Sequence, residues 1–99
     1  MKEAISAVET LANMIAGSSG RPLNEALETI QKRKAIPLHP ALNKAWQSIY
    51  AYASDEGGVR HGLKGDSNVE LGEAVYMVVT CSAFVSYLVQ LSQRSGIEL

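Results

Sequence analysis

This chain reads as an all-α protein, an antiparallel bundle of four main helices in one domain, residues 1–99. Three observations carry that reading. Apolar residues return at steps of three and four in four separate stretches, the recurrence that lines one face of a helix. No run of useful length alternates apolar and polar residues as a half-buried strand does. The joints carry Gly17 and Gly20, then Pro37 and Pro40, then Gly57, Gly58, Gly62 and Gly65. Connectors of this length join neighbouring helices of a bundle.

The first helix covers residues 2–16, with Ile5, Val8, Leu11, Ala12 and Ile15 on one stripe. Glu3 and Glu9 fall to a solvated face. Gly17-Ser18-Ser19-Gly20 ends it. Pro22 suits the first position of the second helix, because its missing N–H is one that a helix start leaves unpaired anyway. That helix runs to about Lys34, with Leu23, Ala26, Leu27 and Ile30 at helical spacing. Lys32, Arg33 and Lys34 complement the negative end of its dipole. Pro37 and Pro40 forbid a helix through Ile36-Pro37-Leu38-His39-Pro40, and Pro40 can open the third. This one spans about 40–53, with Leu42, Ala45, Trp46, Ile49 and Tyr50 as its apolar face. Residues 55–69 read as irregular. The last helix runs from about Glu70 to Gln93 and is stopped by Ser95-Gly96.

The last helix is apolar on two sides. Val75, Val78, Val79, Ser82, Val85 and Val89 make one face, and Met77, Cys81, Phe84, Tyr87, Leu88 and Leu91 another. Three partner helices cover one of these faces more readily than both. The expected solution is a second copy of the chain closing the remaining strip, a homodimer; the competing one is a monomer with this helix fully central.

Bulk composition sets limits on function. With 46% hydrophobic and 19% charged residues, the 99-residue chain has the make-up of an ordinary globular domain. A net charge of −1 provides no global field for nucleic acid, so any RNA contact is local. The single Cys81 excludes an internal disulfide and a multi-cysteine zinc site. In its apolar helical run it reads as a small buried hydrophobe, and a free thiol fits a reducing cytoplasm. The start, Met1-Lys2-Glu3-Ala4-Ile5, is no export signal. Residues 74–91 are marginal in length for a bilayer crossing and are interrupted by Thr80, Ser82, Ser86 and Gln90. A helix buried on several sides within the protein is the expected explanation, with a cytoplasmic location and no membrane partner.

The stretch Ser54-Asp55-Glu56-Gly57-Gly58-Val59-Arg60-His61-Gly62 gathers two carboxylates, a guanidinium and an imidazole at a glycine turn. His61 titrates near neutrality and is the general acid–base candidate, with Arg60 as a phosphate clamp. Asp55 and Glu56 are its orienting or binding groups. The structural alternative pairs Arg60 with Asp55 or Glu56 and leaves His61 at a helix end. Tyr52 lies off the apolar stripe near the turn and is a surface-contact candidate, whereas Trp46 and Tyr50 belong to the core. Ser54 lacks the strand–turn–helix elbow of a catalytic serine, and Gly57-Gly58 lacks the P-loop lysine spacing. His39, beside Pro40, is placed to help begin the third helix. No HxxxH or paired-cysteine pattern offers a metal site, and no cofactor is implied.

The order of these pieces supports a family resemblance. The Glu3-Ala4-Ile5-Ser6-Ala7-Val8-Glu9 helix, Leu23-Asn24-Glu25-Ala26-Leu27, His39-Pro40-Ala41-Leu42, the Tyr50–His61 stretch and the closing Val79–Leu88 helix together resemble the HEPN-type helical domains of bacterial abortive-infection proteins, in particular the abortive-infection C-terminal type. The likeness covers almost the whole chain. It implies a helical bundle that often dimerises and is often fused to other domains. Active members are metal-independent endoribonucleases. In them an arginine followed after four to six residues by a histidine meets a second copy across the dimer. There the arginine holds the phosphate and the histidine assists proton transfer, while the RNA's own 2′-hydroxyl attacks. In this chain the window upstream of His61, residues 55–58, widened to Ser54 for the abortive-infection type, holds no arginine, and Arg60 is adjacent to the histidine instead. The expected function is therefore a HEPN-like module of a bacterial defence or toxin–antitoxin protein, antiviral in role, that contacts RNA or a nucleotide through residues 54–62. An antitoxin or a fused domain would be its protein partner. The two alternatives are a metal-independent endoribonuclease using His61 with Arg60, and a non-catalytic dimerisation or protein-interaction scaffold.

Overall fold

The computed structural model describes residues 2–54 and 67–99, with side chains described for 3–53 and 71–99. Four helices follow one another: α1 (Lys2–Ala16), α2 (Leu23–Arg33), α3 (Pro40–Ser54) and α4 (Ser67–Arg94). No strand occurs among the described residues. The protein is all-α, as the periodicity requires. Residues 67–69, expected to be irregular, open α4.

The α1 stripe is buried along its length, from Ile5 through Val8, Leu11 and Ala12 to Ile15. It packs on both α2 and α4. The four apolar residues of α2, Leu23, Ala26, Leu27 and Ile30, are completely inaccessible to water. Burial of each large side chain among these stabilises the fold by about 1.5–3 kcal/mol. Pro22 sits one position earlier than expected, as the N-cap of α2, where its side chain makes no capping hydrogen bond. The Glu9 carboxylate of α1 takes over that task, accepting the Leu23 N–H at 3.2 Å. Glu9 was expected on a solvated face; it instead fills the anion position at a helix start. At the other end, Lys34 closes α2 in the left-handed region (φ 51°, ψ 42°), its N–H donating to the Ile30 carbonyl. Arg33 does not serve its own helix alone, because its guanidinium donates to the Ala16 carbonyl that ends α1, at 2.9 Å.

These contacts describe the α1–α2 joint. α2 starts beside Glu9 and its last turn reaches Ala16, so it advances along α1 in the same sense as α1 runs. The 17–22 loop therefore doubles back, and this joint departs from the simple antiparallel hairpin its length suggested. Asn13 holds the loop in place. Its amide donates to the Glu9 and Arg21 carbonyls, and its side-chain oxygen accepts from the Ser18 hydroxyl and the Arg21 N–H. Gly17 (φ 74°) and Gly20 (φ 69°) supply the left-handed turns this path requires.

α3 is seated on α2. Its buried face is rotated from the expected one: Leu42 and Ala45 are exposed, whereas Asn43 is buried. Asn43 can be inside because its polar atoms are satisfied. Its amide donates to the Leu27 carbonyl at 2.8 Å and its oxygen accepts from Gln47 at 2.7 Å. Trp46 is buried and Ile49, Tyr50 and Ala53 pack partly against the core, so the remainder of the expected stripe holds. Pro40 opens α3 as expected, and His39 starts it by accepting the Ala41 N–H on Nδ1 at 3.0 Å.

α4 runs antiparallel to α3. Tyr52 near the end of α3 meets Glu73 near the start of α4, and farther along Trp46 stacks on Phe84 with ring centroids 4.0 Å apart and planes 10° from parallel. At 1.5 Å per residue α4 is about 42 Å long and spans most of the 46 Å long axis of the molecule. It ends at Gly96 (φ 76°), where the Ile97 N–H returns to the Ser92 carbonyl.

Candidate functional site

Of the residues expected to carry function, Asp55, Glu56, Arg60 and His61 lie outside the described residues, and Tyr52 is described. α3 ends at Ser54 and α4 begins at Ser67, on either side of that stretch in the chain. Tyr52 is exposed as expected, but it is not free. Its hydroxyl donates to the Glu73 carboxylate at 2.5 Å, tying the last turns of α3 to the first turns of α4. The bond to Glu73 raises the Tyr52 pKa above its ordinary value, with slight burial and the carboxylate's charge adding to it. Ionised Tyr52 would lose that bond and face a like charge. Glu73 was not singled out from the sequence. Its signal is position only, a carboxylate within two turns of the same helix end.

The larger surface feature follows directly on α4. Met77, Cys81, Phe84, Leu88 and Leu91 are buried, and this face packs on α1. The opposite face is open. Leu71 is 65% exposed, Val75 53%, Tyr76 61%, Val78 46% and Val79 61%. Gly72, Ser82, Ala83 and Ser86 continue the same exposed face, and a side chain added at Gly72 would meet no atom within 4 Å. Val85 and Val89, expected on the strip to be closed by a partner, pack partly against the core instead. No charged residue lies between Glu73 and Arg94. Leu71–Arg94 is long and apolar enough, by length and composition, to cross a membrane, with mean hydropathy 1.7, yet only 28% of that stretch is buried. The expectation that α4 is buried on several sides is thus corrected: one face is in the core and the other is largely exposed.

The remaining polar clusters are accounted for within the fold. A cleft of about 520 Å³ beside the 17–22 loop is lined by Ser6, Glu9, Thr10, Asn13, Arg21 and Tyr50, among others. Its strongest groups are already engaged: Glu9 caps α2, Asn13 holds the loop, and Arg21 pairs with Glu25 at 3.2 Å. Among the described residues no group of three or more His, Cys, Asp or Glu side chains could hold a metal ion. Cys81 is buried, and desolvation pushes its thiol pKa up, the opposite of what a reactive thiolate needs. Comparison with protein-family models, curated proteins and solved structures returns no match for this chain.

Proposed function

We propose that this chain is a self-associating, HEPN-like helical module of a bacterial defence protein, of the abortive-infection or toxin–antitoxin kind, that binds RNA or a nucleotide at residues 54–62 without cleaving it. The observation that carries self-association is the open α4 face from Leu71 to Val79. Large apolar side chains left together in water, with Glu73 the one charged residue of that span and bonded to Tyr52, mark an interaction surface. The nucleic-acid part rests on the Ser54–His61 sequence and its likeness to the HEPN turn. Binding is preferred to cleavage because Arg60 adjoins His61, and adjacent side chains project differently from a pair one or two helical turns apart.

Two measurements test this reading. Sedimentation equilibrium at high micromolar concentration should return a dimer, and a monomer there overturns the self-association. A labelled short RNA in the presence of chelator should bind, lose affinity with Arg60→Ala, and run intact on a gel. RNA cleavage abolished by His61→Ala would replace the binding reading with the endoribonuclease one.

A further inference from the structure

We infer that two copies of α4 pair antiparallel about Val79, the bulky first half of each open face filling the small-residue second half of the other. This rests on the self-association reading and adds the geometry of the pair.

The order of side chains along the open face carries this geometry. Reflection of the helix about Val79 carries Gly72 onto Ser86, Val75 onto Ala83 and Tyr76 onto Ser82. All seven of these residues are exposed. An isologous two-fold contact in which the helices cross antiparallel pairs residue i with j and j with i, as this reflection does. The paired volumes are more even than a parallel pair gives, with glycine on serine the smallest. Valine meets alanine, tyrosine meets serine, and glycine meets serine, with valine on valine at the axis. Even filling is what close packing of an interface demands. A parallel pair would set Tyr76 against Tyr76 and Val75 against Val75 at one end. At the other it would set Ser82, Ala83 and Ser86 against themselves, leaving a gap.

Charge and area point to the same occupant. A partner bearing charges would bury them unpaired on a face that has none, and a second copy brings none. The five bulky residues expose on the order of 500 Å² of apolar surface, at the upper end of what a monomer leaves in water. Val75, Tyr76 and Val79 lie in the paired set and Leu71 and Val78 flank it; with the small residues included, two copies remove on the order of 1,000 Å², the least a specific interface needs. The pairing has a geometric consequence. Ser67 lies 12 residues from Val79, so the two α4 N-termini stand about 36 Å apart along the pair at 1.5 Å per residue. A parallel pair would place these helix starts side by side.

Disulfide trapping in a Cys81→Ala background decides the orientation, since a bridge forms only where two Cα atoms come within about 7 Å. Val79→Cys should link to itself. Val75→Cys mixed with Ala83→Cys should give a linked heterodimer, while neither links to itself. Self-linking of Val75→Cys would overturn the antiparallel pair and leave the dimer standing. A dimer that links at none of these positions overturns the inference by placing the contact on another face. A chain that sediments as a monomer, or floats as one with phosphatidylcholine vesicles, ends the self-association reading as well. A second pair of variants needs no oxidation. Val75→Asp alone should raise the dimer Kd at least tenfold, and adding Ala83→Lys should recover most of that, because aspartate and lysine meet only in the antiparallel arrangement. A further loss in the double variant would favour the parallel pair and overturn the inference. Circular dichroism on each variant confirms that the helices are retained.

Discussion

The two faces of α4 are similar in composition and opposite in fate. Met77, Cys81, Phe84, Leu88 and Leu91 are in the core, while Leu71, Val75, Tyr76, Val78 and Val79 are in water. Both sets are apolar and both lie within one helix, interleaved by two or three positions. The difference teaches that hydrophobicity alone does not decide which side of a helix a fold covers. What decides is the neighbour. α1 offers a continuous apolar stripe to one face, and Trp46 of α3 offers a ring to Phe84 on the same face. Nothing among the described residues offers a matching surface to the other.

Substitutions can break or sharpen this contrast. The largest effect is expected on the covered face: Leu88→Ala removes a fully buried side chain and should cost about 2–5 kcal/mol, as a transfer and a cavity term combined. Chemical denaturation at fixed protein concentration measures it, and a cost under 1 kcal/mol would mean that this face is loosely packed. On the open face, Val79→Asp should leave helix content and the unfolding of the isolated chain within about 0.5 kcal/mol of the parent, as surface changes usually do. The same change should shift the sedimentation profile from dimer to monomer. Unfolding of the chain by Val79→Asp would show that this face is part of the core after all. Asn43→Ala tests the rotated α3 face. It leaves the Leu27 carbonyl without its side-chain donor and should cost about 1–3 kcal/mol, whereas Leu42→Ala, on the exposed neighbour, should cost much less.

The smallest effect belongs to Tyr52. Its pKa is raised in the folded protein, so the Glu73 bond contributes fully below the ordinary tyrosine value of about 10. That contribution is lost as the pH climbs through the higher folded value. Tyr52→Phe should lower stability slightly near neutrality, by the contribution of the bond, and remove this alkaline loss. Tyrosinate absorbance titration should lose the raised Tyr52 transition in Tyr52→Phe, and that transition should move down in Glu73→Gln. An unaltered titration in Glu73→Gln would mean that the carboxylate does not hold the hydroxyl in solution.

Much of the fold was legible before any coordinates. The stripes of α1 and α2 are strongly amphipathic, so Ile5, Val8, Leu11, Leu23, Leu27 and Ile30 could be placed in the core by period alone. In α3 the same rule misled at Leu42 and Asn43. Period ranks side chains by hydropathy and does not register a hydrogen bond to the Leu27 carbonyl sixteen residues away. Glu9 was misread for the same reason, since its partner is the start of another helix. The Tyr52–Glu73 tie was missed because the two residues lie far apart in sequence and meet only after α3 and α4 turn back on each other. Of the candidate site, the chemistry at Asp55, Glu56, Arg60 and His61 is a reading of the sequence, and these residues lie outside the described ones.

By itself the amino-acid order determined four helices, their joints, and a last helix apolar on two sides, because helical period, proline and glycine act within a few residues of where they stand. Tertiary structure alone decided which of those two sides is covered, which carboxylate caps α2, and how an asparagine comes to sit in the core. Each of these depends on what stands opposite in space, and the order of residues along one helix carries no record of the surface it will meet.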